Sequence, residues 1–194
     1  MAKQPTPQKA LAEIFKALAP ITSADPTRRA MQCVRVTVDG PKHVFDATNG
    51  HILVRLVVDR VAFVDDAPAP GLYVPDVAAK TLALGMVPAI DPCTDGSTFP
   101  PLDAVIESEM RNEPLADPVG VDPARVIDAA KAHMQIVHAL TGSRNARETA
   151  FRLTTCGIQN TIKIETPRPL FAALGGSFTV LALVMPYRLE KDPK

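Results

Sequence analysis

The order of helical and β-rich segments repeats along the chain, and this repeat constrains the fold more than any single motif. Thr6-Pro7 predicts a helix start, because proline at the first helical position lacks only an N–H that would have no partner there. Apolar residues follow at helical spacing as far as Leu18, and Pro20 ends the run. A second helix is predicted to begin at Asp122-Pro123 and to stop at Gly142.

Three β-rich segments follow each predicted helix. Val34, Val36 and Val38 alternate with more polar residues, which is typical of a half-buried strand. Two more runs meet at Asn49-Gly50, a strong hairpin signal. The runs after the second helix are residues 148–155, 161–165 and 178–187. A helix before each meander covers one face of an antiparallel sheet, so the predicted fold class is α+β with the helices on one face.

Residues 65–123 separate the two repeats and are rich in proline. They carry ten of the nineteen prolines, so regular structure within them must be short. We predict an edge strand at residues 71–74 and a short helix at residues 76–84, closed by Gly85. The rest of this segment is interpreted as connector.

The charged and nucleophilic residues form no recognisable catalytic pattern. Lys and Arg number 21, as do Asp and Glu, and a net charge of zero argues against gripping nucleic acid by bulk electrostatics alone. No phosphate-binding loop or nucleophile elbow occurs, and the histidines lack metal-ligand spacing: His43, His51, His133 and His138. We therefore expect no catalytic residue, no metal and no cofactor, and a protein that is not an enzyme.

The cysteines and apolar runs predict the compartment. Cys33, Cys93 and Cys156 are an odd number at wide spacing, which fits a reducing compartment better than a disulfide framework or a zinc site. Neither a signal peptide nor an apolar run of membrane-spanning length is visible. We expect a cytoplasmic protein without a membrane partner.

Two segments resemble one protein family closely. Residues 47–53 read Ala-Thr-Asn-Gly-His-Ile-Leu, which resembles the Ala-Thr-Asp-Gly-His-Arg-Leu signature of the bacterial DNA polymerase III β subunit, the β sliding clamp. Residues 184–189 read Val-Met-Pro-Tyr-Arg-Leu, which resembles that family's terminal Val-Met-Pro-Met-Arg-Leu. Weaker similarities lie between them, including Phe99-Pro100, which resembles the Phe-Pro of the family's interdomain linker.

The resemblance implies a shortened clamp. The family's chain is nearly twice as long and has three domains, each built of two halves with one helix and one meander. This sequence resembles the beginning of the middle domain joined to the end of the last one. We expect a single clamp-like domain made of residues 1–64 and 119–194, with residues 65–118 as a Pro-rich insertion. Two shrunken domains are the alternative.

The resemblance also implies a peptide-binding pocket on the outer face of the sheet, because both motifs contribute to that pocket in the family. A methionine and a proline among aliphatic side chains suit a short hydrophobic peptide. The alternative is that Leu53, Val184 and Met185 are simply core. The implied lining residues are Thr48, Gly50, His51, Leu53, Val184, Met185, Pro186 and Arg188.

Clamp-family helices line a hole through which duplex DNA passes without base-specific contact. The resemblance therefore implies a homo-oligomeric ring held on DNA by topology, with a few basic residues near the hole. Each of these residues is equally typical of a solvated helix face. The implied DNA-facing residues are Lys9, Lys16, Lys80, Arg125, Lys131, Arg144 and Arg147.

The expected function is that of a non-enzymatic processivity or tethering factor for DNA replication. It would encircle duplex DNA as a homo-oligomer and dock peptides of DNA polymerase and of clamp-loader-type proteins. The alternative is an adaptor or decoy with the clamp fold, which binds partner peptides without encircling DNA.

Overall fold

The computed structural model describes residues 5–63, 68–75, 98–111, 120–143, 150–156 and 161–186. Its helices are α1 (Pro7–Leu18), α2 (Leu102–Arg111) and α3 (Pro123–Thr141). Its strands are β1 (Val34–Asp39), β2 (Lys42–Thr48), β3 (Ile52–Asp59), β4 (Gly71–Tyr73), β5 (Arg152–Cys156), β6 (Thr161–Glu165), β7 (Leu170–Phe171) and β8 (Ser177–Val184). Short 3₁₀ turns lie at Ala19–Ile21, Arg29–Gln32 and Arg60–Phe63.

Within the described ranges, all eight strands belong to one antiparallel sheet. The order is β4-β1-β2-β3-β8-β6-β5, and β7 pairs with the start of β8. The two predicted meanders meet where β3 pairs with β8, from Ile52 opposite Val184 to Val58 opposite Phe178. The predicted α+β class with an antiparallel sheet is confirmed. The division into two halves with an insertion stays a prediction, since most of residues 65–118 lie outside the described ranges.

Both helices of the predicted repeat begin at a capping residue, and α3 also ends at one. The Thr6 hydroxyl accepts from the Lys9 N–H at 3.4 Å, and the Asp122 carboxylate accepts from the Ala124 N–H at 2.9 Å. Gly142 ends α3 in the left-handed region, at φ +67°, and its N–H donates to the His138 carbonyl. A side chain would be strained at this φ, which is why glycine stops the helix.

The main core lies between one face of the sheet and the pair α1 and α3. Alternate residues of β3 and β8 point into it, and the Phe15, Phe45, Phe63 and Tyr73 rings meet edge to face there. Edge-to-face pairs stabilise a core by about 0.5–1.5 kcal/mol beyond the area that they bury. The helices of the predicted repeat therefore lie on one face of the sheet, as the sequence indicates.

The opposite face of the sheet carries α2, which the sequence analysis interpreted as connector. Leu102 packs there with Leu53 and Leu183, which point away from the main core. The apolar positions 102, 105 and 106 have helical spacing, but the surrounding prolines obscured this short helix. Strand boundaries also differ slightly, because β5 begins at Arg152 and β8 ends at Val184. The predicted helix at residues 76–84 lies outside the described residues.

His133 is fully buried on α3, and neither ring nitrogen has a hydrogen-bond partner among the residues that the structure describes. The Phe151 ring packs against it at a centroid distance of 5.5 Å. Burial lowers the pKa of His133 from its ordinary 6.5 to about 4. The folded protein therefore holds a neutral imidazole at this position.

Acid should destabilise the protein through His133. Between pH 6.5 and 4 the unfolded chain binds a proton that the folded chain excludes, so the free energy of unfolding falls as pH falls through this window. The expected loss is about 3 kcal/mol at most. His133→Leu should remove this part of the pH dependence in urea unfolding at pH 7, 5.5 and 4.5. Equal pH dependence in the two proteins would contradict the assignment.

Candidate functional site

The hairpin tip between β2 and β3 is held by side chains of the first motif. The Asn49 side-chain oxygen accepts from the backbone N–H groups of His51 and Ile52, both at 2.9 Å. The Thr48 hydroxyl donates to the Ile52 carbonyl at 2.8 Å and accepts from the Gly50 N–H at 3.1 Å. Asn49 stands where the clamp signature has aspartate, and an amide oxygen accepts these bonds as a carboxylate would.

Gly50 is required at the tip for two reasons. Its φ is +88°, a conformation in which side chains are strained. A Cβ at this position would also lie 3.1 Å from the Arg28 guanidinium. The turn therefore fixes the position of His51, the next residue.

Pairing of β3 with β8 brings the second motif to this hairpin. The Met185 N–H donates to the His51 carbonyl at 2.8 Å, one residue beyond the last strand pair. Two segments distant in sequence therefore meet where the central strands β3 and β8 pair.

A groove of about 120 Å³ lies beside the hairpin, on the face that carries α2. It is smaller than the roughly 300–1,000 Å³ typical of small-molecule sites, so it suits one or two inserted side chains better than a cofactor. Its lining residues are Thr48, Gly50, His51, Ile52, Leu53, Pro100, Leu102, Val105 and Met185.

The structure brings five of the eight expected peptide-site residues to the groove: Thr48, Gly50, His51, Leu53 and Met185. Val184 is fully buried in the main core on the helix side of the sheet and does not line the groove. Alternation along β8 explains this, because Leu183 takes the groove side instead. Pro186 is half-buried and is not a lining residue, and Arg188 lies outside the described residues.

Three lining residues come from the segment that was interpreted as connector. Pro100, Leu102 and Val105 form the wall opposite the hairpin. The helical spacing of residues 102, 105 and 106 after Pro101 is the signal that could have revealed this wall. Pro100 is part of the wall because α2 and the residues before it pack against the sheet. Local sequence does not encode that packing.

The site holds neutral rather than reactive groups. Partial desolvation, followed by the charges of Arg125 and Arg28, lowers the pKa of His51, so its imidazole is neutral at pH 7. Outside the groove lining, burial raises the pKa of the Cys33 and Cys156 thiols, which keeps both protonated. Among the residues that the structure describes, no group of three or more His, Cys, Asp and Glu could hold a metal ion.

The expected DNA-facing residues fall on the helical layer where they are described. Lys9 on α1 and Lys131 on α3 are exposed. Lys16 donates to Glu13 at 3.0 Å, and Arg125 lies 3.5 Å from the Asp122 carboxylate. Acidic side chains thus alternate with the basic ones, and the layer is not strongly basic. Lys80, Arg144 and Arg147 lie outside the described residues.

Basic residues also lie away from the helical layer. Arg35, Lys42 and Arg55 are on the first three strands, and Arg152 and Lys163 are on β5 and β6. In the described part of the chain, the basic residues are therefore spread over the sheet as well as the helices. No helix in the described ranges is both long and apolar enough to span a membrane.

A scan against protein-family models finds no match, and neither does a search of curated proteins. A search of solved structures finds bacterial sliding clamps. DNA polymerase III subunit β from Borrelia burgdorferi, in complex with a natural product, is 9% identical with a TM-score of 0.39, over 94% of this chain and 63% of that chain.

Two further clamps give similar values. The DnaN sliding clamp from Bartonella birtlesii, bound to griselimycin, is 14% identical with a TM-score of 0.32, over 92% of this chain and 64% of that one. The DNA polymerase sliding clamp from Bacillus subtilis is 13% identical with a TM-score of 0.33, over 95% and 63%. The match thus spans less than two thirds of each clamp, and the description of this fold rests on its own strands and helices.

Asn49 should hold the hairpin tip through its side-chain oxygen. Asn49→Ala leaves two backbone N–H groups without their acceptor, and we expect the free energy of unfolding in urea to fall by about 1 kcal/mol. Asn49→Asp keeps an acceptor at the same place and is the matched control, expected to remain close to wild type. Equal losses in both variants would contradict this role.

Proposed function

We propose that this protein is a non-enzymatic tethering factor of clamp-like architecture, which docks hydrophobic peptide segments of partner proteins in the groove beside the β2–β3 hairpin. The observation that carries the proposal is the convergence of both sequence motifs on one groove, through the bond from Met185 to His51. DNA polymerase and clamp-loader-type proteins are the proposed partners.

The chemistry of the groove supports a peptide as its ligand. Leu53, Leu102 and Val105 present aliphatic surface, and Met185 adds a flexible side chain that adapts to different shapes. Burying one leucine or phenylalanine of a partner contributes about 1.5–3 kcal/mol. Because the groove accepts one or two such side chains, an individual peptide should bind with modest affinity and exchange readily.

Ring formation around DNA is the wider part of the proposal. The layer of α1 and α3 would face the hole, with Lys9 and Lys131 as its exposed cations. The closed ring, rather than a strong positive charge, would keep the protein on DNA. Basic and acidic side chains alternate on this layer, which supports sliding along DNA rather than tight binding to it. The second candidate, an adaptor or decoy that binds peptides without encircling DNA, is favoured by the spread of basic residues over both layers.

Peptide binding should depend on the groove wall. We expect an uncharged peptide rich in leucine and phenylalanine, labelled with a charge-neutral fluorophore, to bind the wild-type protein, as measured by fluorescence anisotropy. Val105→Asp places a carboxylate in the apolar groove and should weaken binding about tenfold or more. Griselimycin, the ligand of the Bartonella clamp, is a second probe that should respond in the same way.

Phe171→Asp is the matched control for this experiment. Phe171 is 80% exposed, and it pairs with Ser177 at the opposite end of β8 from the groove, roughly 20 Å away along the strand. This variant makes the same chemical change and should bind the peptide as wild type does. The docking proposal fails if the wild-type protein does not bind, or if both variants lose binding equally.

The ring predicts an assembly in solution. Six domain-equivalents would need six copies of the 20.8 kDa chain if each supplies one domain, or three copies if each supplies two. Light scattering coupled to size-exclusion chromatography should therefore give three or six times the chain mass. A strict monomer at high concentration would exclude the ring and leave the adaptor as the function.

A further inference from the structure

We propose that a charged cluster beside the groove, made of Arg35, Asp46, Arg55 and Asp103, positions the groove wall and thereby sets the affinity for peptide. This proposal rests on the proposed docking function and names a determinant of it outside the lining. None of the four residues lines the groove.

Asp46 is the centre of this cluster. Its side chain is fully buried, and its carboxylate accepts from both neighbouring strands. Arg35 donates through Nε at 3.2 Å and Nη2 at 2.7 Å, and Arg55 donates through Nε at 2.7 Å and Nη2 at 3.0 Å. One carboxylate thus fixes two guanidinium groups in a defined orientation on the face of the sheet that carries α2.

Each guanidinium group then holds one end of the wall segment. The Arg35 guanidinium lies 4.8 Å from the centre of the Phe99 ring, a cation–π contact. Arg55 donates through Nη1 to the Asp103 carboxylate at 2.6 Å. The lining residues Pro100 and Leu102 lie in sequence between these two attachments. These two attachments lie outside the groove lining, and they hold the wall together with the apolar contacts of Leu102 with Leu53 and Leu183.

The other end of α2 is held by a third contact, which also reaches the groove. Glu109 is buried and accepts a hydrogen bond from the Thr161 hydroxyl at 2.8 Å. The hydroxyl oxygen of Thr161 also lies 3.5 Å from the Met185 sulfur. Helix α2 is thus attached to the sheet near both of its ends, and the attachment at Asp103 is the one that depends on an exposed ion pair.

The contact between Asp103 and Arg55 is a charged one that salt can weaken. The two guanidinium groups and two carboxylates neutralise one another, and the bond from Arg55 lowers the pKa of Asp103, so this carboxylate is ionised at neutral pH. The Asp103 side chain is 71% exposed, and salt therefore screens its pair with Arg55. Asp46 is shielded from such screening by its burial.

The test compares peptide affinity in Asp103→Asn and Glu107→Gln. Both remove one carboxylate from α2, but the ion pair of Glu107 is local, with Arg111 four residues further along the helix. We expect Asp103→Asn to weaken binding of the uncharged labelled peptide about three- to fivefold, the range of an exposed ion pair. Glu107→Gln should bind as wild type does. Urea unfolding of each variant verifies that the fold is intact.

Three further measurements separate positioning from general stability. Since the peptide is uncharged, raising NaCl should weaken binding to wild type and leave Asp103→Asn nearly unchanged. Arg55→Lys keeps the charge but loses the forked geometry of the guanidinium group. In that background, Asp103→Asn should weaken peptide binding by a smaller factor than it does in wild type. Hydrogen exchange of α2 amides should be faster in Asp103→Asn than in Glu107→Gln.

The outcomes distinguish this inference from the function on which it rests. If the wild-type protein does not bind the peptide, the docking function fails and the positioning role falls with it. If wild type binds and Asp103→Asn binds equally well with the same salt dependence, docking stands and the positioning role of the cluster is overturned.

Discussion

The antiparallel pairing of β3 with β8 is the interaction on which the rest of the structure depends. It joins strands distant in sequence at the centre of one sheet and places Met185 against His51 at the ends of those strands. Alternate residues of these two strands supply the main core on one face and the small apolar cluster beside the groove on the other. A slip of one residue in this register would exchange the two sets of side chains and disrupt both the core and the apolar cluster.

The two faces of the sheet are stabilised by different means. On one face, α1 and α3 bury a large apolar core in which aromatic rings interlock. On the other, a short helix is held by a small apolar cluster, a buried carboxylate with two arginines, and one buried glutamate. A buried ion cluster often stabilises no more than an apolar replacement would, but it fixes geometry. That property suits a wall whose position matters to a ligand.

Much of the fold follows from local signals in the sequence. Thr6, Asp122 and Gly142 stand at helix ends because their capping groups and backbone freedom are needed there, and Asn49-Gly50 forms the hairpin tip. The motifs also identify five groove residues through resemblance to a known family. Side-chain alternation along β8 could have assigned Val184 to the core, had the pairing with β3 been known.

The remainder depends on contacts between residues distant in sequence. Proline-rich surroundings concealed α2, and nothing local indicates that Phe99 reaches Arg35 or that Asp103 reaches Arg55. Asp46 reads as an ordinary polar residue of a strand until its two arginine partners are seen. The spacing of residues 102, 105 and 106 could have revealed the helix itself, but its attachment to the sheet was beyond prediction from sequence.

The most direct test of the central claim is a map of where an apolar peptide binds. Titration of the uncharged leucine- and phenylalanine-rich peptide into ¹⁵N-labelled protein should shift the amide resonances of Gly50, His51, Val105 and Met185. Resonances around Phe171, at the far end of the sheet, should not move. Shifts confined to that far end, or none at saturating peptide, would contradict the account.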